Sequence, residues 1–369
     1  MDFTIARNKL LKPLQLISSV VETKTSMPVI SNLLFELNDQ ELRITGTDLE
    51  VELVKTISLE QAYPEAKALI PAKKLNEICR SLPEGAELHF SRENNQMILR
   101  SGKSRFVLTL LALDDFPAVE CSDSVKHTLK MPASTLKQLF EKTHFAMAQQ
   151  DVRYFLNGLL LDFSDATCTA VSTDGHRLAL SSVDLPEAVQ ERHQALIPRK
   201  AVLESLKLLT ADEDFEITLE MGDHHIRILA DNFTFTSKLI DAKFPEYSPL
   251  IPKTSNKWAT VDKQSLKGAL TRVAILSNDK FRGTWLAFDK GTLLLNAHNP
   301  DRDEAEDELS IDYAHEPLKI GFNVNYLLDV LNVLDTEQIK IMLTDTKSSI
   351  LVTADEREQQ QYIIMPMSL

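Results

Sequence analysis

The stretch Ile70-Pro71-Ala72-Lys73-Lys74-Leu75 decides the fold, because it returns 127 positions later as Ile197-Pro198-Arg199-Lys200-Ala201-Val202. A looser third copy, Ile320-Gly321-Phe322-Asn323-Val324-Asn325-Tyr326-Leu327, follows at nearly the same interval. The period is close to one third of the 369 residues. Self-similarity at a fixed period indicates repeated structural units.

A second landmark has nearly the same period. Thr47-Asp48-Leu49-Glu50 corresponds to Thr173-Asp174-Gly175-His176 and then to His298-Asn299-Pro300-Asp301. The breaks between repeats lie in polar stretches that follow Pro117 and Pro252, which is typical of linkers. We therefore expect three homologous domains, over residues 1–122, 126–252 and 257–369.

Each third contains two segments with apolar residues at i, i+3, i+4 and i+7, the spacing of a helix with one buried stripe. These segments predict helices over residues 7–17, 73–81, 134–143, 199–209, 263–273 and 323–334. Ser134, Asp262 and Asn323 stand where N-caps belong. Alternating strands follow each helix, as in Ile217, Leu219 and Met221. The sequence predicts a β-α-β-β-β module present six times.

The fold class is therefore α+β, with helices covering one face of mostly antiparallel sheets. Six modules in a row leave unpaired strand edges at both ends, and proteins seldom tolerate such edges. Head-to-tail pairing of two chains removes both edges and closes a ring. We predict three repeated domains of two β-α-β-β-β halves each, closed into a six-domain ring as a homodimer.

Composition excludes several classes of protein. No run approaches the roughly 18 apolar residues of a membrane helix, and Met1–Ile5 does not begin a secretory signal. Three widely spaced cysteines, Cys79, Cys121 and Cys168, argue against a disulfide framework and against a zinc site. We expect a cytoplasmic protein with no membrane partner, no metal and no cofactor.

Charge is distributed unevenly along the chain. The net charge is −14, yet five of the six predicted helices carry a net positive charge, and only residues 323–334 do not. A helix-lined bore would therefore be positive, which suits contact with phosphates without reading of sequence. The alternative is that Lys and Arg are good helix formers on solvated faces.

Over its whole length the sequence resembles the beta subunit of bacterial DNA polymerase III, the sliding clamp family. The matching stretches are Leu10-Leu11-Lys12-Pro13-Leu14, Thr45-Gly46-Thr47-Asp48-Leu49-Glu50, Asp151-Val152-Arg153-Tyr154-Phe155-Leu156-Asn157-Gly158, Thr173-Asp174-Gly175-His176-Arg177-Leu178, Thr236-Ser237-Lys238-Leu239, Ile275-Leu276-Ser277-Asn278-Asp279-Lys280-Phe281-Arg282-Gly283 and Met365-Pro366-Met367. They occur in order and at the expected distances along the chain.

The resemblance implies a processivity factor for DNA replication and not an enzyme. It implies a head-to-tail homodimer that encircles double-stranded DNA without sequence preference, and an ATP-driven clamp loader that opens the ring. The implied partners are the replicative DNA polymerase alpha subunit and the translesion polymerases and repair proteins that carry clamp-binding peptides.

The family's DNA-contacting positions fall here on Lys24, Lys73, Gln150, Tyr154 and Phe155, with Lys200 a further contact. Lys24 replaces an arginine common in the family, which keeps the charge and loses the bidentate fork. Phe155 replaces a common tyrosine, so stacking on a base survives while a hydroxyl contact is lost.

The resemblance also places a cleft for partner peptides between the second and third domains. Its positions are Leu156, Thr173, Gly175, His176, Arg177, Leu178, Pro245, Leu250, Asn323, Tyr326, Ser349, Ile363, Met365, Pro366 and Met367. A shallow groove of methionine and aliphatic side chains can repack around several ligands. Pro249 and Ser368 sit where many relatives carry arginine, so a salt bridge from the rim is not expected.

A dimer interface is expected where apolar residues are flanked by complementary charge. In domain one its residues are Lys103, Arg105, Phe106 and Leu108. In domain three they are Ile275, Leu276, Asp301, Asp303, Glu304, Glu306 and Asp307.

Two other functions remain open from the residues alone. Asp174 and His176, with Ser172 nearby, could form a hydrolase-like trio, although no G-x-S-x-G, P-loop or His-Glu-x-x-His motif accompanies them. The second is a repeat scaffold that binds peptides and never DNA. We expect no catalytic residue, and the helix charge favours DNA over the scaffold.

Overall fold

The computed structural model describes residues 1–22, 25–113, 116–117, 124–209, 215–252, 257–354 and 359–368. The chain divides into two compact units. The first unit contains Met1–Ser134 and Leu203–Ile240, and the second contains Thr135–Val202 and Asp241–Leu369. Each unit therefore combines residues from more than one sequence repeat.

The six predicted helices are present. They are α1 Arg7–Val20, α2 Ala72–Ser81, α3 Ala133–Thr143, α4 Arg199–Leu208, α5 Lys263–Ala274 and α6 Val324–Val333. Two of the predicted N-caps are confirmed, since Asp262 accepts a hydrogen bond from the Ser265 amide and Asn323 accepts one from the Asn325 amide. The prediction for Ser134 is wrong, because α3 begins one residue earlier, at Ala133.

The strands of the described part of the chain all pair antiparallel with their neighbours. They are β1 Asp2–Ala6, β2 Asn32–Thr47, β3 Val51–Pro71, β4 Glu87–Glu93, β5 Gln96–Ser101, β6 Ser104–Thr109, β7 His127–Pro132, β8 Gly158–Ser164, β9 Thr167–Thr173, β10 Arg177–Asp184, β11 His193–Pro198, β12 Glu216–Met221, β13 His225–Ala230, β14 Phe233–Lys238, β15 Lys257–Asp262, β16 Gly283–Asp289, β17 Thr292–His298, β18 Glu304–Ser310, β19 Leu318–Asn323, β20 Gln338–Leu343, β21 Ile350–Thr353 and β22 Gln360–Ile364.

Each unit contains one short and one long sheet. In the first unit the orders are β1-β4-β5-β6 and β2-β3-β14-β13-β12-β7. In the second unit they are β18-β17-β16-β19 and β11-β8-β9-β10-β22-β21-β20-β15. The long sheets join strands from neighbouring repeats, through the β3–β14 pair and the β10–β22 pair. The compact units consequently do not follow the repeat boundaries.

Four modules follow the predicted β-α-β-β-β order, namely the ones that begin at β7, β11, β15 and β19. The first two modules differ, because β3 is long enough to serve as the last strand of one and the first strand of the next. Strand β2 pairs with both halves of β3 and changes register around Asp39, whose φ is +52°. The chain therefore bends at Asp39 where the other modules have a separate hairpin.

The core of the first unit lies between helices α1 and α2 and the sheets they cover. Leu10, Leu14 and Ile17 of α1 are fully buried, and Leu11, at the border of this apolar stripe, is half-buried. Phe3 and Phe90 stack with their ring centroids 4.6 Å apart, which joins β1 to β4. Aromatic pairs of this kind add to the stabilisation that comes from burial of their area.

The core of the second unit includes both α5 and α6. Leu266, Ala269, Leu270 and Val273 of α5, which have the spacing of a single apolar stripe, are all buried. The sheet residues that complete this core are Leu286, Phe288, Leu293, Leu295, Ile320, Phe322, Ile339 and Ile341. Each helix thus covers a sheet with one apolar face, as the spacing predicts.

Two exclusions can be examined in the structure. No helix in the described ranges is both long enough and apolar enough to span a bilayer. Cys79 and Cys168 are buried free thiols, and burial raises the pKa of each to about 12. Cys121 lies outside the described residues.

We expect Gly46→Ala to destabilise the first unit by about 1–3 kcal/mol, because it overpacks a closed core. A Cβ on Gly46 would lie 2.6 Å from Ile17 Cγ2 and 3.1 Å from Val21 Cγ2. Urea unfolding would measure the loss. The matched control is Gly268→Ala in α5, where the near atom is the flexible end of Arg272 at 3.2 Å. That control should be neutral or stabilising by about 0.5–1 kcal/mol.

Candidate functional site

The guanidinium of Arg177 organises the predicted peptide cleft. It donates to the carboxylates of Asp174 (3.1 Å) and Asp329 (2.5 Å) and to the carbonyl of Phe145 (2.7 Å). The central carbon of the guanidinium, Cζ, lies 4.5 Å from the ring centroid of Tyr326. Only 11% of the Arg177 side chain is exposed. One residue of β10 is thereby fixed to α6, about 150 positions away in the chain.

The C-terminal segment lies beside β10 as an inner strand of the long sheet. In the register of β10 and β22, Leu178 is opposite Ile363. After β22 ends, the Met365 amide donates to the His176 carbonyl at 2.9 Å, and the Met367 amide donates to the Gly321 carbonyl at 2.8 Å. Backbone bonds therefore hold the methionines of the tail in place while their side chains stay half-buried.

The predicted cleft residues divide into a floor and a rim. Leu156, Leu178 and Ile363 are almost fully buried and belong to the floor. Gly175 and His176 are exposed and belong to the rim, with Leu250 also exposed at 41%. The remaining positions are half-buried or exposed, apart from Thr173, which is buried: Pro245, Asn323, Tyr326, Ser349, Met365, Pro366 and Met367.

Arg153 fastens the rim, although the sequence did not assign it a role. Its guanidinium forms two hydrogen bonds to the Asp151 carboxylate, at 3.0 and 2.9 Å, and lowers the pKa of Asp151 to about 2. It also donates to the Asp174 carbonyl at 3.3 Å. A Cβ on Gly175, whose φ is +89°, would lie 3.0 Å from this guanidinium. The backbone conformation and this close contact therefore both favour glycine at position 175.

A cluster of Asp162, Arg192 and Tyr247, to which the sequence assigned no role, holds the segment that carries Pro245 and Leu250. Tyr247 donates to the buried carboxylate of Asp162 at 3.1 Å, and Arg192 binds the same carboxylate at 2.6 and 2.9 Å. Burial raises the pKa of Asp162, but the hydrogen bonds from Arg192, Gln194 and Tyr247 outweigh burial, so the net pKa is lowered. No hydrogen bond within the described residues joins Pro245 or Ser349 to the C-terminal tail.

Three predicted DNA-contacting residues of the second unit, Gln150, Tyr154 and Phe155, lie on a tight loop before β8. Gln150 has a φ of +57°, and the Asn157 side chain both donates to and accepts from the Asp151 backbone, at 2.8 and 2.9 Å. These bonds present Tyr154, which is 58% exposed, edge-on to Phe155.

The other predicted DNA contacts are on helices or lie outside the described residues. Lys200 is half-buried in the first turn of α4. Lys73 is exposed in the first turn of α2, in the first unit. Lys24 lies outside the described residues.

The positive charge of the helices is less available than the sequence predicts. Lys142 is buried, and its ammonium donates to the Val333 carbonyl and to Asp335. Four other basic residues of the helices form ion pairs within the described part of the chain: Lys9 with Glu60, Lys137 with Glu141, Lys207 with Glu204, and Arg272 with Asp307. The basic helix residues that are exposed and have no ion pair among the described residues are Lys12, Lys73, Lys74 and Arg80.

The predicted interface residues lie on two sheet edges and beside them. Strand β6, with Arg105, Phe106 and Leu108, is an edge of one four-stranded sheet, and Lys103 lies in the turn before it. Strand β18, with Glu304, Glu306 and Asp307, is an edge of the other, and Asp301 and Asp303 lie just before it. Ile275, at the C-terminal end of α5, has 75% of its side chain exposed, and Leu276 is half-buried.

The hydrolase-like trio is not assembled. Asp174 accepts hydrogen bonds from the backbone amides of His176 and Arg177, as the side chain of a turn residue does. Ser172 is buried and donates to the Thr143 carbonyl. The structure does not support general acid–base chemistry by these residues.

Comparison with known proteins agrees with this geometry. Family models for the N-terminal, central and C-terminal domains of the DNA polymerase III beta subunit match residues 1–120, 130–246 and 248–368. The chain belongs to the DNA polymerase III beta subunit family. The resemblance stated from the sequence is therefore confirmed, and so are the clamp fold with three repeated domains and the function as a sliding clamp.

Individual members of the family match over the entire chain. The beta sliding clamps of Pseudomonas putida and Escherichia coli K12 are 47% and 41% identical, with 100% of both chains covered in each case. The crystal structure of a Pseudomonas aeruginosa sliding clamp bound to griselimycin has a TM-score of 0.96 and 46% identity, again with 100% of both chains covered. Sliding clamps are processivity factors, which confirms that the chain is not an enzyme.

Asp329 is the residue of this site that a signal in the sequence could have revealed. It is the single charged residue in the helix predicted over residues 323–334. A lone carboxylate on an otherwise uncharged helix indicates a specific partner, which the structure shows to be Arg177.

We expect Arg177→Met to lower the free energy of unfolding of the second unit by about 2–3 kcal/mol, because two carboxylates and a carbonyl lose their donor. Denaturant unfolding would measure the change. The matched control is Arg153→Met, because the Arg153 side chain in its ion pair with Asp151 is 49% exposed. It should cost less than about 1 kcal/mol. Equal losses for the two variants would contradict the organising role of Arg177.

Proposed function

We propose that two copies of this chain close into a ring around duplex DNA in the cytoplasm. The ring slides without reading sequence and tethers the replicative polymerase through the peptide cleft of the second unit. The proposed domains are residues 1–122, 126–252 and 257–369, and the ranges of the three family models support this division.

The proposal rests on a regularity of strand pairing: the last strand of one module pairs with the last strand of another. The last strand of the first module, β3, pairs with the last strand of the fourth, β14. The last strand of the third module, β10, pairs with the last strand of the sixth, β22. The second and fifth modules end in β6 and β18, which are both sheet edges. If β6 of one copy pairs with β18 of a second copy, the last strands of two modules again pair with each other. In a twofold dimer this pairing occurs twice, and the two pairings close the ring.

The side chains on the two edges complement each other. Lys103 and Arg105 on one side are exposed, and so are Asp301, Asp303, Glu304 and Glu306 on the other. Next to β6 there is a groove of about 390 Å³. It is lined by Lys74, Glu77, Ile78, Ser81, Phe106, Val107 and Leu108. The exposed side chain of Ile275 from the second copy would fill this groove, with Leu276 beside it.

DNA contact is proposed for Lys24, Lys73, Gln150, Tyr154, Phe155 and Lys200. The exposed ring of Tyr154 supports this, because an aromatic face can stack on any base. The lysines would neutralise phosphates and would make binding dependent on salt. Opening of the ring on DNA is assigned to an ATP-driven clamp loader.

The cleft is proposed to bind short peptides that carry a glutamine together with aliphatic or aromatic residues. A buried apolar floor and half-buried methionines support an adaptable apolar site, and the rim offers polar groups that fix the register of a peptide. The proposed partners are the polymerase alpha subunit and the translesion polymerases and repair proteins that carry such peptides.

Retention on DNA of different topology tests the ring. The protein would be loaded on nicked circular plasmid by the organism's own loader with ATP, and half the sample would then be cut once. We expect retention on circles and loss from linear DNA, because enclosure holds the protein. Equal retention on both forms would contradict the ring and favour direct binding.

The variant Ile275→Ala with Leu276→Ala checks the interface in the same assay. It should sediment as a folded monomer and fail to stay on circular DNA, because the groove beside β6 loses its occupant. The matched control is Phe281→Ala, which removes another exposed apolar side chain, 54% exposed, outside the proposed interface. That control should remain a dimer and stay on circles.

Tyr247→Phe tests the cleft without touching the peptide. Loss of the hydroxyl removes the 3.1 Å bond to Asp162 and loosens the segment that carries Pro245 and Leu250. We expect peptide affinity to fall by about three- to tenfold, which corresponds to roughly one hydrogen bond, while sedimentation still shows a dimer. Fluorescence anisotropy with a labelled polymerase tail peptide would measure the affinity. Unchanged affinity would place the peptide elsewhere.

A further inference from the structure

A pocket of the second unit, beside the start of β16 and the end of β17, has no role in the function proposed above. Its volume is about 370 Å³. The residues that line it are Asn278, Phe281, Gly283, Trp285, His298, Asn299, Pro300, Met367 and Ser368. One of them, Met367, also belongs to the predicted peptide cleft, so the pocket is continuous with the cleft at this residue.

The walls of this pocket lie on the face of the four-stranded sheet that the helices leave uncovered. In β16, Leu286 and Phe288 are buried in the core that includes α5 and α6, so Trp285 points to the opposite face. Trp285 is half-buried there and lies opposite Gly321 of β19. Because glycine has no side chain, nothing covers the indole from that cross-strand position.

The C-terminal tail connects this pocket to the cleft. The Met365 amide donates to the His176 carbonyl, and two residues later the Met367 amide donates to the Gly321 carbonyl. Two extended residues span at most about 7 Å. A peptide that lies beside Met365 in the cleft can therefore reach the pocket with two or three further residues.

The walls have the chemistry of a site for an aromatic side chain. Phe281 is 54% exposed and Trp285 is half-buried, and Pro300 and Met367 complete the apolar surface. Aromatic rings and a thioether both pack favourably against another aromatic ring. A cavity of about 150 Å³ already holds one benzene ring, so the volume of this pocket is sufficient.

The exposed ring of Phe281 is held by a tight turn. The Asn278 side chain accepts hydrogen bonds from the amides of Lys280 and Phe281, at 2.9 and 3.1 Å. The ammonium of Lys280 lies 5.5 Å from the centroid of the Phe281 ring, and that of Lys319 lies 4.9 Å from the centroid of the Trp285 ring. An exposed apolar side chain on a fixed backbone loses little entropy when it binds a partner, which favours affinity.

We propose that this pocket binds one aromatic side chain from the residues that flank a clamp-binding peptide. The inference rests on the proposed function, which places the peptide itself in the cleft. Phe281 and Trp285 then determine specificity. Partners with an aromatic residue two or three positions beyond the peptide bind more tightly than partners without one, because the ring is buried between these two side chains.

Paired peptides test the pocket in the full-length dimer. The probes are a labelled polymerase tail peptide without tryptophan, and the same peptide with two glycines and a phenylalanine added at one end or at the other. Matched probes carry serine in place of the added phenylalanine. We expect one phenylalanine extension to bind about five- to tenfold more tightly than its serine form, the net of apolar burial and of the cost of ordering the added residues. Fluorescence anisotropy would measure the affinities.

Two variants distinguish the pocket from the rest of the sheet. Phe281→Ala should abolish the gain from the phenylalanine extension and leave the affinity of the unextended peptide unchanged. The matched control is Leu294→Ala, which removes a half-buried apolar side chain from the same face of the sheet, opposite Ala287 and outside the lining of the pocket. That control should keep the full gain. Loss of the gain in both variants would overturn the proposed role of Phe281.

The emission of Trp285 reports whether the pocket is occupied. The chain has two tryptophans, so Trp258→Phe leaves Trp285 as the single fluorophore of this type. We expect the phenylalanine-extended peptide to shift the emission to shorter wavelength, because a bound ring excludes water from the indole. The serine form should leave the emission unchanged, and equal shifts with both forms would overturn the inference.

The other outcomes identify a different occupant or a different failure. If neither extension raises the affinity while the unextended peptide binds, this inference fails and the proposed function stands; if the unextended peptide does not bind, the proposed function fails and this inference fails with it. A gain that appears only after deletion of Leu369, which lies outside the described residues, assigns the pocket to the chain's own C-terminus. A gain that appears only in the monomer made by Ile275→Ala with Leu276→Ala assigns the pocket to a second copy. Both results overturn the proposed occupant.

Discussion

The requirement that strand edges be paired organises this molecule. The last strand of each module has a hydrogen-bonded neighbour from its own module on one side only. On the other side, last strands of different repeats pair with each other, β3 with β14 and β10 with β22. These pairings extend two sheets across the repeat boundaries and explain why the compact units do not coincide with the repeats. The last strands β6 and β18 remain sheet edges, and their pairing with a second copy is the physical basis for the proposed ring.

The functional site depends on one of these pairings. Because β10 lies beside β22, the turn before β10 meets the C-terminal tail, and the Met365 amide reaches the His176 carbonyl. Arg177 then connects the turn to α6 through Asp329 and Tyr326. The residues of the predicted cleft thus come together where two repeats meet. Its adaptable methionines lie on a rigid, hydrogen-bonded backbone, a combination that suits a site for several peptides.

One turn recurs in two of the repeats with the same hydrogen bonds. The hydroxyls of Thr47 and Thr173 make the same two hydrogen bonds. Each accepts one from the backbone amide two residues later and donates one to the backbone carbonyl four residues later. The third position has a positive φ in each, +78° at Leu49 and +89° at Gly175. The residue that follows this shared turn differs, Val51 in the first repeat and Arg177 in the second. The guanidinium of Arg177, and not the turn, therefore distinguishes the second repeat from the first at this place.

The sequence by itself determined the threefold repeat, the six helices with their buried stripes, and the caps at Asp262 and Asn323, because these depend on residues only a few positions apart. The sequence also showed the family resemblance, since each motif consists of consecutive residues. The tertiary structure alone decided which helix lysines stay exposed, since Lys142 meets Asp335 almost 200 positions away. It decided the partners of Arg177 for the same reason. Contacts between distant elements leave no periodicity in the sequence, so only the folded chain shows them.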